Sequence, residues 1–111
     1  MLSTPAMEHY RQAVQSAEER DWPSARHHLT LCIQEDPRCY DGYLLLGRVL
    51  REAGEAGQAA AVLESLHARF PDDVDVGLEL VGAWREVGEP ERACRLLRQL
   101  ARMQPNEEAP L

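Results

Sequence analysis

A period of 34 residues runs through this chain and limits its folding more than any other feature. Pro37, Pro71 and Pro105 keep that spacing, as do Ala25, Ala59 and Ala93, and Leu29, Leu63 and Leu97. Gly54 and Gly88 are one period apart, and so are Leu46 and Leu80. Five markers on one period do not align by chance. A period of this size belongs to arrays of small units, each burying its apolar faces against the next.

The content of one period is a pair of helices. In the clearest copy, Tyr43, Leu46, Gly47 and Leu50 recur at i, i+3, i+4 and i+7, which is one face of a helix. Gly54 suits the left-handed backbone that ends a helix. Ala59, Val62, Leu63 and Leu66 repeat the helical spacing, and Pro71 closes the unit because proline cannot continue a helix. Sustained apolar–polar alternation is missing and aromatic residues make up only 5%, so strands are not expected. The spacing predicts six helices near 6–19, 23–35, 39–53, 56–69, 73–87 and 90–103. Pro23 and Pro90 open two of them without loss of a hydrogen bond. Asp72 and Asp73 are placed to cap the fifth.

Tyr43, Leu46, Gly47, Leu50, Gly54, Ala59, Leu63, Leu66 and Pro71 together resemble the tetratricopeptide repeat. The third copy matches through Leu80, Trp84, Gly88, Ala93, Leu97, Leu100 and Pro105. It departs at Gly77, where an aromatic is usual, and at Val81, where a small residue is usual. The first copy matches in its second half, through Ala25, Leu29, Cys32 and Pro37, with Trp22 just ahead. Its first helix has Gln12 where a leucine belongs, which suggests a shift or rotation. The resemblance implies an all-α superhelix, or solenoid, of three antiparallel helix pairs at about 6–37, 38–71 and 72–105. Short tails, 1–5 and 106–111, flank it.

The resemblance also implies a function. In that family the first helix of each pair lines a concave groove that holds a partner's peptide or helix. Carried onto this sequence, the groove residues are Tyr10, Val14, Asp41, Leu44, Arg48, Arg51, Asp75, Leu78, Gly82 and Arg85. Arg48, Arg51 and Arg85 can each fork onto a partner's carboxylate, or pair within the chain with Glu52, Asp75, Glu79 or Glu86. Gly82 either leaves room for a ligand or is simply tolerated. One subclass clamps the acidic C-termini of heat-shock chaperones with lysine, arginine and asparagine. The corresponding positions here hold Tyr10, Val14, Leu44, Arg48, Leu78 and Gly82, of which only Arg48 qualifies. An amphipathic segment suits the groove better than an acidic tail.

Charge and chemistry narrow the classes further. The net charge is -7, and all 12 basic residues are arginine. The absence of lysine reflects codon bias of a GC-rich, bacterial genome or a use of arginine forks on carboxylates. The acidic balance argues against nucleic-acid binding, including the related pentatricopeptide readers, whose period is longer and whose charge is usually basic. Arg95, Arg98 and Arg102 read as a solvated face. No P-loop, dinucleotide-binding glycine pattern or zinc-protease helix occurs, so no enzyme and no cofactor is expected. His27, His28 and Cys32 are too few for a zinc site. The three cysteines, Cys32, Cys39 and Cys94, form no framework. Cys32 falls at a small core position, and Cys39 lies in the turn after Pro37, where exposure is expected. Met1 to Glu8 have neither a cationic start nor an apolar run, and no stretch is long enough to span a membrane. A cytoplasmic setting follows.

One further expectation concerns the end of the array. The six residues after Pro105 are too few for a helix that covers the last pair. The final helix presents Ala93, Leu96, Leu97, Leu100 and Met103. Leu96, Leu97, Leu100 and Met103 are therefore expected to serve docking or self-association, giving a homo-oligomer or a scaffold as the alternative to a groove-binding adaptor.

Overall fold

The computed structural model describes residues 3–103. Pro105, the segment 106–111 and the expected lack of a covering helix there lie outside the described residues. The fold consists of α1 (Thr4–Glu18), α2 (Trp22–Glu35), α3 (Tyr40–Glu52), α4 (Ala56–Arg69), α5 (Val74–Glu86) and α6 (Pro90–Met103). Among the described residues there is no strand. Each helix packs on its chain neighbours, and α1, α3 and α5 also touch in succession. The first helices of the pairs therefore share one side of the stack, as the all-α solenoid requires.

Local chemistry sets the helix ends. Ser3 Oγ accepts from the Ala6 amide at 3.3 Å, and Pro5 lies in the first turn. This cap starts α1 at Thr4, two residues earlier than periodicity alone suggests, and takes Thr4 and Pro5 out of the expected tail. Asp21 caps α2 through the Ser24 amide at 3.3 Å. Asp73 caps α5 through the Val76 amide at 3.2 Å. The same carboxylate accepts the Tyr40 hydroxyl at 2.6 Å, tying the start of α3 to the start of α5. Burial and that bond both push the Tyr40 hydroxyl up from its ordinary range. Gly54 and Gly88 end α3 and α5 at φ +85° and +84°. Arg20 fills the matching position after α1 at φ +60°, although a side chain is disfavoured there.

The core is built by the period and then adjusted pair by pair. Ala25, Ala59 and Ala93 are all buried, so the small residues mark the close approach of paired helices. In the second pair Leu63 lies against Gly47, where a Cβ would come within 2.6 Å of its side chain. In the third pair Val81 occupies the place of Gly47, and the open position is Gly77 instead. Leu100 fills it, 2.7 Å from where a Cβ would stand. This exchange accounts for both departures from the repeat pattern. Beside Leu100 it is Leu96, not Leu97, that enters the core.

Leu29 and Leu63 are 0% exposed, whereas Leu97 is 46% exposed. Gln12 has an equally simple reason. In α3 and α5 the matching face carries Leu46 with Val49 and Leu80 with Ala83, which pack in the core clusters. In α1 it carries Gln12 and Gln15, both exposed. The helix keeps its place, with Ala13 buried against Ala25 and Leu29, so neither shift nor rotation is needed.

Candidate functional site

The expected groove residues fall at matching positions of α1, α3 and α5, on the side of the stack that the first helices share. Asp41 and Asp75 repeat one position, Leu44 and Leu78 a second, and Arg51 and Arg85 a third. Tyr10 and Leu44 are half-buried, with their inner atoms packed on the core clusters. Burial raises the Tyr10 hydroxyl above its ordinary range, the Asp41 carboxylate adds to this, and Arg48 offsets part of it. Leu78 is the most open apolar member, at 48% exposure. Asp41, Asp75 and Arg85 are exposed, and Arg85 makes no ion pair among the described residues.

Arg48 and Arg51 are differently placed. Arg48 Nε donates to Glu79 Oε2 at 2.9 Å. Arg51 reaches Glu79 Oε1 at 3.2 Å and Glu86 Oε1 at 3.8 Å. One α5 carboxylate therefore holds two α3 arginines. The Arg51 contact to Glu79 is an ion pair without hydrogen-bond alignment. Gly82 is what admits it: the Arg51 guanidinium lies where a Cβ on Gly82 would stand. The room expected there for a ligand is taken by the chain's own arginine.

Between α1 and α3 the face opens into a hollow of about 280 Å³. Val14, Ala17, Trp22, Leu45 and Val49 give it an apolar floor, and Arg48, Glu18 and Glu52 give it a charged rim. Val14 and Arg48 belong to the expected groove. Ala17, Trp22, Leu45 and Val49 do not, yet the signal was present: they extend the apolar faces of α1 and α3 sideways, and Trp22 sits at the pair boundary.

The residues expected at the exposed end divide. Leu96 and Leu100 are buried against α5 and the rest of the core, which removes them from any docking surface. Leu97 and Met103 remain exposed. Arg95, Arg98 and Arg102 are exposed on the same helix. Arg92 instead pairs with Glu64 at 3.3 Å and lies 4.5 Å over the Trp84 ring, joining α4, α5 and α6.

The cysteines require a correction. Cys39 is 2% exposed rather than open to solvent, and its sulfur lies 3.6 Å from that of Cys32. The turn after Pro37 folds it inward to cap α3. Cys94 is exposed. Among the described residues no group of three or more His, Cys, Asp or Glu side chains is placed to hold a metal ion. No described helix is long and apolar enough to cross a membrane.

Helix pairs on a 34-residue period, stacked with their first helices on one side, define a helical-repeat protein. The family model described as tetratricopeptide repeat matches residues 50–110, more than half of the chain, and the chain belongs to that family. Its members generally mediate protein–protein interactions and are typically non-catalytic. A search of curated proteins finds no match.

Proposed function

We propose that this chain is a non-catalytic protein-interaction module, an adaptor or chaperone-like subunit, whose inner face takes an apolar-anchored peptide or amphipathic helix. The observation that carries this reading is the hollow floored by Val14, Ala17, Trp22, Leu45 and Val49, with Leu78 open farther along the same side. Buried apolar anchors within a polar rim are the usual source of peptide affinity. The engagement of Arg48 and Arg51 by Glu79 weighs against an acidic tail as the ligand. Binding needs no cofactor, nucleic acid or membrane, and the setting is cytoplasmic. Selection from a displayed random-peptide library tests the proposal. Enriched peptides with helically spaced apolar residues are expected. Val14→Asp combined with Leu78→Asp should weaken their binding by about tenfold or more, with the helical circular dichroism signal retained. No enrichment, or equal binding by the double variant, refutes it.

A second reading rests on Leu97, which is open where Leu29 and Leu63 are covered by the following helix pair. It makes the chain a self-assembling scaffold through α6. Sedimentation of the wild type against Leu97→Glu distinguishes this reading. A concentration-dependent oligomer lost in the variant supports it, and a monomer in both cases removes it.

A further inference from the structure

Cys32 and Cys39 form a built site that the groove does not use. Their sulfurs are 3.6 Å apart, with Cys32 0% exposed at the end of α2 and Cys39 2% exposed at the start of α3. Ala6 and Tyr10 of α1 pack with the pair. Cys39 Sγ accepts the Gly42 amide at 3.0 Å, so a thiol caps α3.

The next boundary shows what this arrangement replaces. One period on, the positions of Cys32, Cys39 and Gly42 hold Leu66, Asp73 and Val76. There a carboxylate caps the helix, and leucine and valine fill the core. Here the stronger cap and the larger side chains are given up. Gly42 is required by the sulfurs: a Cβ would stand 2.7 Å from Cys39 Sγ and 3.4 Å from Cys32 Sγ. A thiol is a weaker cap than the carboxylate used one period on, which points to chemistry rather than packing.

We infer that Cys32 and Cys39 are an oxidisable dithiol that closes to an intramolecular disulfide on reaction with a peroxide, stapling the first repeat to the second. Cys39 is the attacking thiol. It sits at a helix N-terminus with the Gly42 amide aimed at its sulfur, the setting that favours sulfur nucleophiles. Cys32 is the resolving thiol. Burial, followed by its contact with Cys39, pushes the Cys32 thiol up to about 12, which disfavours Cys32 as the attacking group.

Cys39 sulfur, giving up its proton, attacks one peroxide oxygen. The O–O bond breaks, a sulfenic acid forms and the other oxygen leaves as water. Cys32 sulfur, losing its proton, then displaces the sulfenic hydroxyl, which leaves as a second water. The two thiols lose two protons and two electrons, and hydrogen peroxide is reduced to two waters. The sulfurs must close from 3.6 Å to about 2 Å. Entry of the peroxide requires an opening of this packing, in which the first turns of α1 take part.

The experiment uses the full chain with Cys94→Ser, which removes the exposed thiol. The protein is treated with excess hydrogen peroxide, alkylated in denaturant and digested with trypsin. Cleavage after Arg26, Arg38 and Arg48 places the two cysteines on separate peptides, 27–38 and 39–48. A disulfide-linked pair of these peptides is expected while the helical circular dichroism signal persists. A thiol reductant should restore two alkylatable cysteines. In Cys94→Ser/Cys32→Ser, Cys39 should be trapped as a sulfenic acid by dimedone. Labelling should be much weaker at Cys32 in Cys94→Ser/Cys39→Ser. Both thiols alkylated after peroxide, linkage only after helix loss, or stronger dimedone labelling of Cys32 than of Cys39 would each overturn the inference.

Discussion

In the second repeat the first helix opens a space at Gly47 for Leu63; in the third it opens one a turn earlier, at Gly77, for Leu100. The glycine moves by four positions, and the leucine that fills the space moves with it. The 34-residue period therefore specifies that two helices pair, and the place of one missing side chain specifies which leucine of the second helix packs into the first. The consequence reaches the surface. Leu63 disappears beneath α5, while Leu97, its counterpart, faces out and Leu96 takes the core position.

The largest effect should come from the residues that the two repeats share. Ala59→Arg and Ala93→Arg each force a bulky charge into a fully packed site. Each should lower stability by about 3–5 kcal/mol, a large share of the total for a domain of this size. Urea unfolding should show the greater loss for Ala59, which lies inside the stack, than for Ala93 in the last pair. Equal stability of either variant to the wild type would undo the shared alignment.

Leucine truncation sharpens the contrast itself. Leu63→Ala should cost about 2–5 kcal/mol. Leu97→Ala, at the same point of the period, should cost under about 1 kcal/mol, because its side chain is already half in water. Leu100→Ala should behave like Leu63→Ala. Comparable losses at 63 and 97 would mean that Leu97 is covered in solution.

Filling the two spaces is the next test. Gly47→Ala should cost about 1–3 kcal/mol by crowding Leu63, and Gly77→Ala a similar amount by crowding Leu100. The couplings should be specific. In double-mutant cycles, Leu63→Ala should relieve Gly47→Ala, and Leu100→Ala should relieve Gly77→Ala. Relief of Gly77→Ala by Leu97→Ala would reverse the assignment.

The smallest effect belongs to the turn that the first repeat makes differently. Arg20 holds a left-handed backbone where Gly54 and Gly88 stand in the later repeats. Arg20→Gly should raise stability by about 0.5 kcal/mol, since relief of the side-chain penalty exceeds the added freedom of the unfolded chain. The melting temperature would rise by a few degrees at most. A loss would mean that the guanidinium over the Trp22 ring, 5.9 Å away, outweighs that relief.

Periodicity was enough to place the six helices, the turn glycines and the buried alanines, because each depends on residues close in the chain. What it missed depends on contacts between elements. Leu97 and Leu96 are neighbours on α6, and which of them is covered depends on what packs against that helix, which its own spacing does not carry. Gln12 looked like an irregularity until its face was seen to have no described helix against it. Cys39 looked exposed because turns usually are, yet it serves as a helix cap. On the inner face, the alternatives for Arg48 and Arg51 were legible, but selecting Glu79 required the spacing of α3 from α5. The hollow beside Trp22 joins two pairs, so neither pair's pattern alone outlines it.

The hold of Glu79 and Glu86 on Arg48 and Arg51 has a kinetic consequence. Charges that are already compensated project little field into solvent, so they cannot draw an ion in from a distance. A partner arriving at this side of the stack should associate at the unsteered rate, about 10⁵–10⁶ M⁻¹s⁻¹, and added salt should change that rate little. Discrimination among partners would then reside in how long each stays, set by how well its apolar side chains fit beside Val14 and Leu45.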